Sequence, residues 1–236
     1  FISVRILMKR QQELEKLVAE RTAELEMVNA NLIERNRELD QFVYSTSHDL
    51  SAPLKSIRGL INIANYEQDI KAQKSLLDRM NESVIKLETF IRDVISYSRN
   101  ARLGVKQTQI KLKSLVQEIL DHISNLDNFH KIKFDIQVDE HVVIDSDETR
   151  VKIILNNLLS NAVKFQRFGE ERMPLVRVSY WYENAQHHIK VSDNGHGISE
   201  EYQDKIFNMF CRANVTSDGS GLGLYILKET LKKLQG

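Results

Sequence analysis

Three short constellations in the second half of the chain carry residue types that bind charged groups. In Asn157-x-x-x-Asn161-x-x-Lys164, two amides and an ammonium recur at i, i+4 and i+7, which is one face of a helix. Leu155, Leu158, Leu159 and Val163 occupy the other side. Amide oxygens can hold a hard cation or its waters, and a lysine can meet a phosphate. A merely solvated face usually carries Glu and Lys instead. Asp193 ends a strand-like run and leads into Gly195-x-Gly197. Such a turn lets the backbone approach a ligand, and the carboxylate can accept a hydrogen bond from an exocyclic amine. Asp-Asn-Gly is also an ordinary turn. Gly219-x-Gly221-Leu222-Gly223 opens the last helical segment. Glycines there expose backbone N–H groups to an anion, helped by the helix dipole. The same run also reads as a helix cap behind a flexible loop. It lacks the Gly-Lys-Ser/Thr of a Walker loop and the spacing of a dinucleotide-binding turn.

The elements that must position these groups follow from the hydrophobic pattern. Residues 11–47 hold no Gly or Pro. Val18, Leu25, Leu32 and Leu39 share one heptad position, and Leu14, Val28 and Phe42 the other, with Arg21 and Arg35 also on the seam. This predicts a coiled coil of about four heptads, favoured over a helix packed on its own domain. A kink is expected near residues 49–53, where Pro53 interrupts the helix's hydrogen bonding, with the helix resuming to about Ala64. The polar stretch Asn65–Lys74 reads as a turn. A second helix carries Leu76, Leu77, Met80, Val84, Leu87, Phe90, Ile91, Val94 and Ile95 on one broad face. Two such helices bury their apolar faces only by pairing with a second hairpin into a dimeric four-helix bundle.

Arg102-Leu103-Gly104 marks a domain boundary. Beyond it, strands are expected at Thr108–Leu112, Lys131–Val138, Leu175–Tyr182 and His187–Ser192, the last two joined at Glu183-Asn184. Helices are expected at Lys113–Asn125, Asp147–Gln166 and Gly221–Leu234. Segregated helices and hairpin-like strands predict an α+β domain.

Composition narrows the function. The 236 residues carry 33 basic and 33 acidic side chains, so no basic surplus exists for general nucleic-acid binding. One cysteine, Cys211, excludes an intramolecular disulfide, and the six histidines other than His48 show no metal spacing. Nine Gly and two Pro permit long helices, yet Gly195, Gly197, Gly219, Gly221 and Gly223 are gathered near the C-terminal end. The apolar start, Phe1 to Met8, precedes Lys9-Arg10. It reads equally as the inner end of a membrane helix or as an ordinary helix start.

Five motifs in order resemble those of sensor histidine kinases. Ser47-His48-Asp49-Leu50-x-x-Pro53-Leu54 resembles the phosphoacceptor H box. Asn157-x-x-x-Asn161-Ala162-x-Lys164 resembles the N box, and Asp193-x-Gly195-x-Gly197-Ile198 the G1 box. Ile206-Phe207-x-x-Phe210-x-Arg212 and Gly219-x-Gly221-Leu222-Gly223-Leu224 resemble the F and G2 boxes. The resemblance spans about residues 41–235, and residues 1–40 resemble a signalling coiled-coil helix. It implies a dimerisation and phosphotransfer domain at 41–103. A catalytic domain of the Bergerat ATPase type, an α+β sandwich, would follow at 104–236. Asp193 would bond the adenine amine of ATP, with Gly195 and Gly197 shaping that pocket. Asn161 would coordinate Mg2+, with Asn157 beside it. Lys164 and Arg212 would contact phosphate oxygens, and Gly219, Gly221 and Gly223 would flank a lid over residues 208–220. His48 would be the nucleophile and Asp49 would take its proton; a free imidazole, with a pKa of about 6.5, is mostly neutral at pH 7. The partners implied are a second copy through residues 11–101, the receiver domain of a response regulator, and a sensor domain upstream of residue 1. The location implied is the cytoplasmic part of an inner-membrane-anchored bacterial protein.

The chain departs from the family pattern twice. Ser51 and Ala52 stand where many members carry Arg and then Thr or Asn. The second of these positions is linked to orienting water for dephosphorylation of the regulator, so weak or absent phosphatase activity is expected. The sequence also ends at Gly236, soon after the G2 helix, where the family fold usually continues with further strands. Two other readings compete. An ATP-hydrolysing enzyme needs a glutamate base on the Asn161 helix, where Glu148 is the nearest carboxylate. A catalytically silent dimeric scaffold would bind ATP without transfer to His48.

Overall fold

The computed structural model describes residues 2–102, 104–169, 172–211 and 220–236. The chain falls into two compact units, Phe1–Lys55 and Ser56–Gly236.

The first unit is a single helix, the greater part of α1 (Ile2–Ala64), which continues on both sides of Pro53 although that residue has no N–H to give the Asp49 carbonyl. A continuous helix has no second element of its own to cover an apolar stripe. Its seam residues Leu14, Val18, Leu25, Val28, Leu32 and Leu39 are all exposed in the single chain. Among the described residues, no helix is long and apolar enough to cross a membrane.

The second unit begins with the end of α1 and continues into α2 (Ile70–Arg102). The turn between them is shorter than the polar stretch predicts. Asp69 ends it, because its carboxylate accepts from Ala72 N at 3.1 Å and from Lys71 N at 3.4 Å. Helix therefore begins at Ile70, ahead of the expected start after Lys74. Among the described residues, Leu60 and Phe90 are the buried apolar side chains of this helical part.

The rest of the unit is α/β. It contains β1 (Thr108–Lys111), α3 (Leu112–His122), a 3-10 turn at Phe129–Lys131, β2 (Lys133–Gln137) and β3 (Val143–Ser146). Then follow α4 (Glu148–Lys164), β4 (Leu175–Glu183), β5 (Gln186–Asp193), the short α5 (Glu200–Gln203) and α6 (Gly223–Lys233). β1 pairs antiparallel with β3, and the second sheet has the order β2-β4-β5, with β2 parallel and β5 antiparallel to β4. β3 is a strand that the pattern analysis did not anticipate. Four residues are too few to show an alternation, and its pairing with β1 alone makes it a strand. β4 and β5 turn at Asn184-Ala185, both with positive φ (52° and 60°), as a two-residue hairpin requires.

The core lies where α3 and α4 cover the sheets. Leu112, Val116 and Ile119 of α3 meet Leu155, Leu159 and Val163 of α4 and Val176 and Val178 of β4, all essentially removed from water. The outer sheet face is polar, with Arg177 of β4 paired to Asp135 of β2 at 2.6 Å.

Candidate functional site

Burial of one face of α4 decides where its amides go. Val151, Leu155, Leu159, Ala162 and Val163 enter the core, so Asn157 and Asn161 come out half-buried and Lys164 exposed. Asp147 caps the helix, its carboxylate accepting from Arg150 N at 3.1 Å. Asn157 donates Nδ2 to Ile153 O of its own helix at 2.8 Å. Its Oδ1 faces Gly223, where a Cβ would stand only 2.6 Å away. The start of α6 thus lies directly against the amide row of α4.

Asp193, the last residue of β5, accepts from Gly195 N at 2.9 Å. Gly195 is pressed on the chain just after α4, and a Cβ there would stand 2.2 Å from Phe165 O. His196 N donates to the same carbonyl at 3.0 Å. Asn194, unassigned in the sequence reading, fastens this turn. Its Oδ1 accepts from Leu175 N at 2.8 Å and its Nδ2 donates to Met173 O at 3.0 Å. Gly197 has a φ of 71°.

At Gly221, φ is 69°, and a Cβ would stand 2.8 Å from the carbonyl carbon of Phe210. Phe210 N donates to Gly221 O at 3.1 Å, and Phe210 itself adopts a φ of 62°, unusual for a bulky residue. The F and G2 motifs therefore meet backbone to backbone. Arg212 and Gly219, and residues 212–219 of the expected lid, lie outside the described residues.

Residues of α2 reach this region, and no motif pointed to them. Asp93 Oδ2 accepts from Ser220 Oγ at 2.7 Å. Burial raises the Asp93 pKa above its ordinary 3.8, against the opposing pull of the Ser220 hydrogen bond and the Lys164 and Arg92 charges. Two turns on, buried Asn100 donates to Thr230 Oγ1 at 2.8 Å and accepts from Arg150 Nε at 3.1 Å. Arg150 also donates to Gly104 O at 3.1 Å and pairs with Asp147. Burial alone would raise the Asp147 pKa. The N–H groups of Lys106 and Arg150 and the Arg150 guanidinium outweigh it and hold the carboxyl below its ordinary 3.8.

His48 stands on α1 in the first unit with 72% of its side chain exposed, its Nδ1 3.2 Å from Asp49 Oδ1. With the Nδ1 proton donated to Asp49, the Nε2 lone pair is the free one. Ser47 and Ser51 spend their hydroxyls on Val43 O and Ser47 O, each at 2.8 Å. Ala52 is exposed. Among the described residues, no three His, Cys, Asp or Glu side chains gather to hold a metal ion.

An exposed histidine-acid pair on a long helix, and an α/β domain that gathers amides, an ammonium and glycine turns, define a protein of the phosphoacceptor-plus-ATPase-fold class. Residues 38–102 match the family described as His Kinase A (phospho-acceptor) domain. Residues 146–236 match the family described as Histidine kinase-, DNA gyrase B-, and HSP90-like ATPase. The Aerobic respiration control sensor protein ArcB homolog of Haemophilus influenzae is 30% identical over 233 residues, covering 94% of this chain and 70% of that protein. The Methanogenesis regulatory histidine kinase FilI of Methanothrix harundinacea is 29% identical over 203 residues, or 84% of this chain and 22% of FilI. The solved structure of histidine kinase ThkA in complex with response regulator protein TrrA shares the fold. It has a TM-score of 0.62 at 22% identity, over 76% of this chain and 52% of that one. This chain belongs to the sensor histidine kinases. It spans only 22% to 24% of the length of the first curated relatives it matches.

Proposed function

We propose that this chain is the kinase portion of a two-component system, using ATP to phosphorylate His48 and passing the phosphoryl group to an aspartate of a response regulator. The observation that carries this reading is the convergence of Asn157 on Gly223 and of Phe165 on Gly195. It sets the amide row of α4 between two glycine cradles too tight for any side chain. Asp193, at the mouth of one cradle, would accept from the adenine amine, and Lys164, with Arg212, would hold phosphate oxygens. Asn161 offers a hard oxygen donor of the kind that, together with substrate phosphates, suits Mg2+. When bound, the ion would neutralise phosphate charge. His48 Nε2 would attack the γ-phosphorus as the bond to the bridging oxygen breaks and ADP leaves. Asp49 would take the Nδ1 proton, help typically worth roughly 10²–10⁴-fold.

The division of labour that fits is a signalling helix over 1–40, a dimerisation and phosphotransfer domain over 41–103 and a catalytic domain over 104–236. The exposed seam of α1 supports a homodimer. ThkA, which shares this fold, was solved with a response regulator, and that supports a receiver domain as the second partner. The hydrolytic reading is disfavoured by position. Glu148 begins α4, nine residues before Asn157, or about 13 Å along the axis, in a groove with Gln109 and Glu118.

Incubation with Mg2+ and γ-labelled ATP tests the reading on this chain and on His48→Ala. Acid-labile, base-stable label in the first and none in the second is expected. No label in either, with ATP still bound, would favour a silent scaffold.

A further inference from the structure

Asp93, Tyr97 and Asn100 recur at i, i+4 and i+7 on α2, so they share one face. That face meets the nucleotide-site elements at three points. Asn100 joins Thr230 of α6 and Arg150 of α4 in the buried cluster. The Tyr97 and Tyr225 rings lie 5.7 Å apart. Asp93 holds Ser220 at 2.7 Å, and Ser220 Oγ in turn accepts from Leu222 N at 3.2 Å. A carboxylate of α2 is thus tied through one hydroxyl to Leu222, the residue that caps α6.

The place of that carboxylate is informative. Ser220 stands between Gly219 and Gly221, in the run whose N–H groups suit a phosphate. Lys164, the ammonium assigned to phosphate oxygens, is close enough to favour ionised Asp93. Asp93 therefore holds the loop that the phosphates of ATP would engage, within the electrostatic reach of the cation that they would meet.

We propose that Asp93 competes with the phosphates of ATP for Lys164 and the Ser220 turn, so that nucleotide binding and the α2–Ser220 contact oppose each other. The proposal rests on the ATP reading above. Its physical basis is like-charge repulsion in a partly buried site, where salt screens poorly. The coupling is reciprocal. Whatever factor the contact takes from ATP affinity, ATP takes from the contact. The Asn100 cluster uses none of the groups assigned to phosphate, so it keeps the end of α2 attached while Asp93 lets go. Nucleotide occupancy is then reported to the helix that follows the phosphoacceptor helix.

The test is the affinity of the full chain for Mg2+-ATP and for adenosine, by calorimetry, in the unaltered protein, Asp93→Asn and Asp93→Ala. Asp93→Asn keeps the shape and removes the charge. ATP is expected to bind about tenfold or more tightly to both variants, with adenosine unchanged, the scale of one charged hydrogen bond. Equal tightening for ATP and adenosine would mean a general relaxation of the site and overturns the proposal. So does unchanged or weaker ATP binding in both variants. Failure of the unaltered chain to bind ATP at all would instead remove the nucleotide reading, and the competition with it.

Discussion

Asn157 Oδ1 stands 2.6 Å from the point a Cβ on Gly223 would occupy. The Asn157 amide is fixed from behind by its bond to Ile153 O, so it has little room to withdraw. Gly223→Ala should push α6 from α4 and weaken ATP binding about tenfold or more, the scale of one overpacked contact. Calorimetry would read the affinity and circular dichroism the retained fold. Unchanged affinity would show that this cradle does not hold nucleotide.

Gly195 and Gly59 provide a contrast in stability. A Cβ at Gly195 would collide with Phe165 O at 2.2 Å, whereas nothing lies within 4 Å of one at Gly59, inside α1. Gly195→Ala should cost about 2 kcal/mol or more, and Gly59→Ala should stabilise by up to about 1 kcal/mol. Denaturant melts of the two variants would show opposite shifts, and shifts of the same sign would contradict the account.

Asp147 predicts a pH dependence. Its folded pKa lies below 3.8, so its contribution is fully present above that unfolded value and is lost as pH falls through the depressed one. Asp147→Asn leaves buried Arg150 without its carboxylate and should cost about 3 kcal/mol near pH 7. The gap between variant and parent should close below about pH 4, as the parent's own carboxyl protonates. A gap that stays constant down to pH 3 would rule this out. Asp93 has the opposite sign. With its pKa raised, its ionisation subtracts stability as pH rises through the folded value.

Ala52 lacks any group to orient a water, and its neighbour Ser51 has its hydroxyl bound to Ser47 O. This chain should not speed loss of phosphate from its regulator above the spontaneous rate. Acceleration by the unaltered protein, measured on a labelled regulator, would defeat the expectation.

Leu25 and Leu32 are 68% and 62% exposed in the single chain, at one heptad position. A Leu buried at a seam is worth about 1.5–3 kcal/mol, so Leu25→Lys with Leu32→Lys should shift the dimer toward monomer by at least tenfold in dissociation constant. Sedimentation equilibrium would measure it. A dimer indifferent to both changes would place the interface elsewhere.

The chemistry-bearing residues were legible because each motif is local. Asn157, Asn161 and Lys164 need only helical spacing to share a face, and Gly221 needs only its own positive φ to turn the chain. The long helices were legible for the same reason, since apolar spacing and the absence of breakers act over a few residues at a time. Boundaries were less so. The start of α2 depended on one carboxylate, Asp69, accepting from the N–H groups of the helix turn that follows it.

The amino-acid order by itself determined the long helices, the hairpin of β4 and β5, and the five motifs, because those follow from backbone preferences and short-range periodicity. Only the tertiary structure decided that β3 is a strand, that Asn194 fastens the Asp193 turn, and that α2 touches the nucleotide elements. Asp93 and Ser220 are 127 residues apart, and Asn100 and Thr230 are 130 apart. Nothing in the local pattern around a polar residue names its distant partner. Packing of α2 against α6 removes these groups from water, and once buried they must find each other.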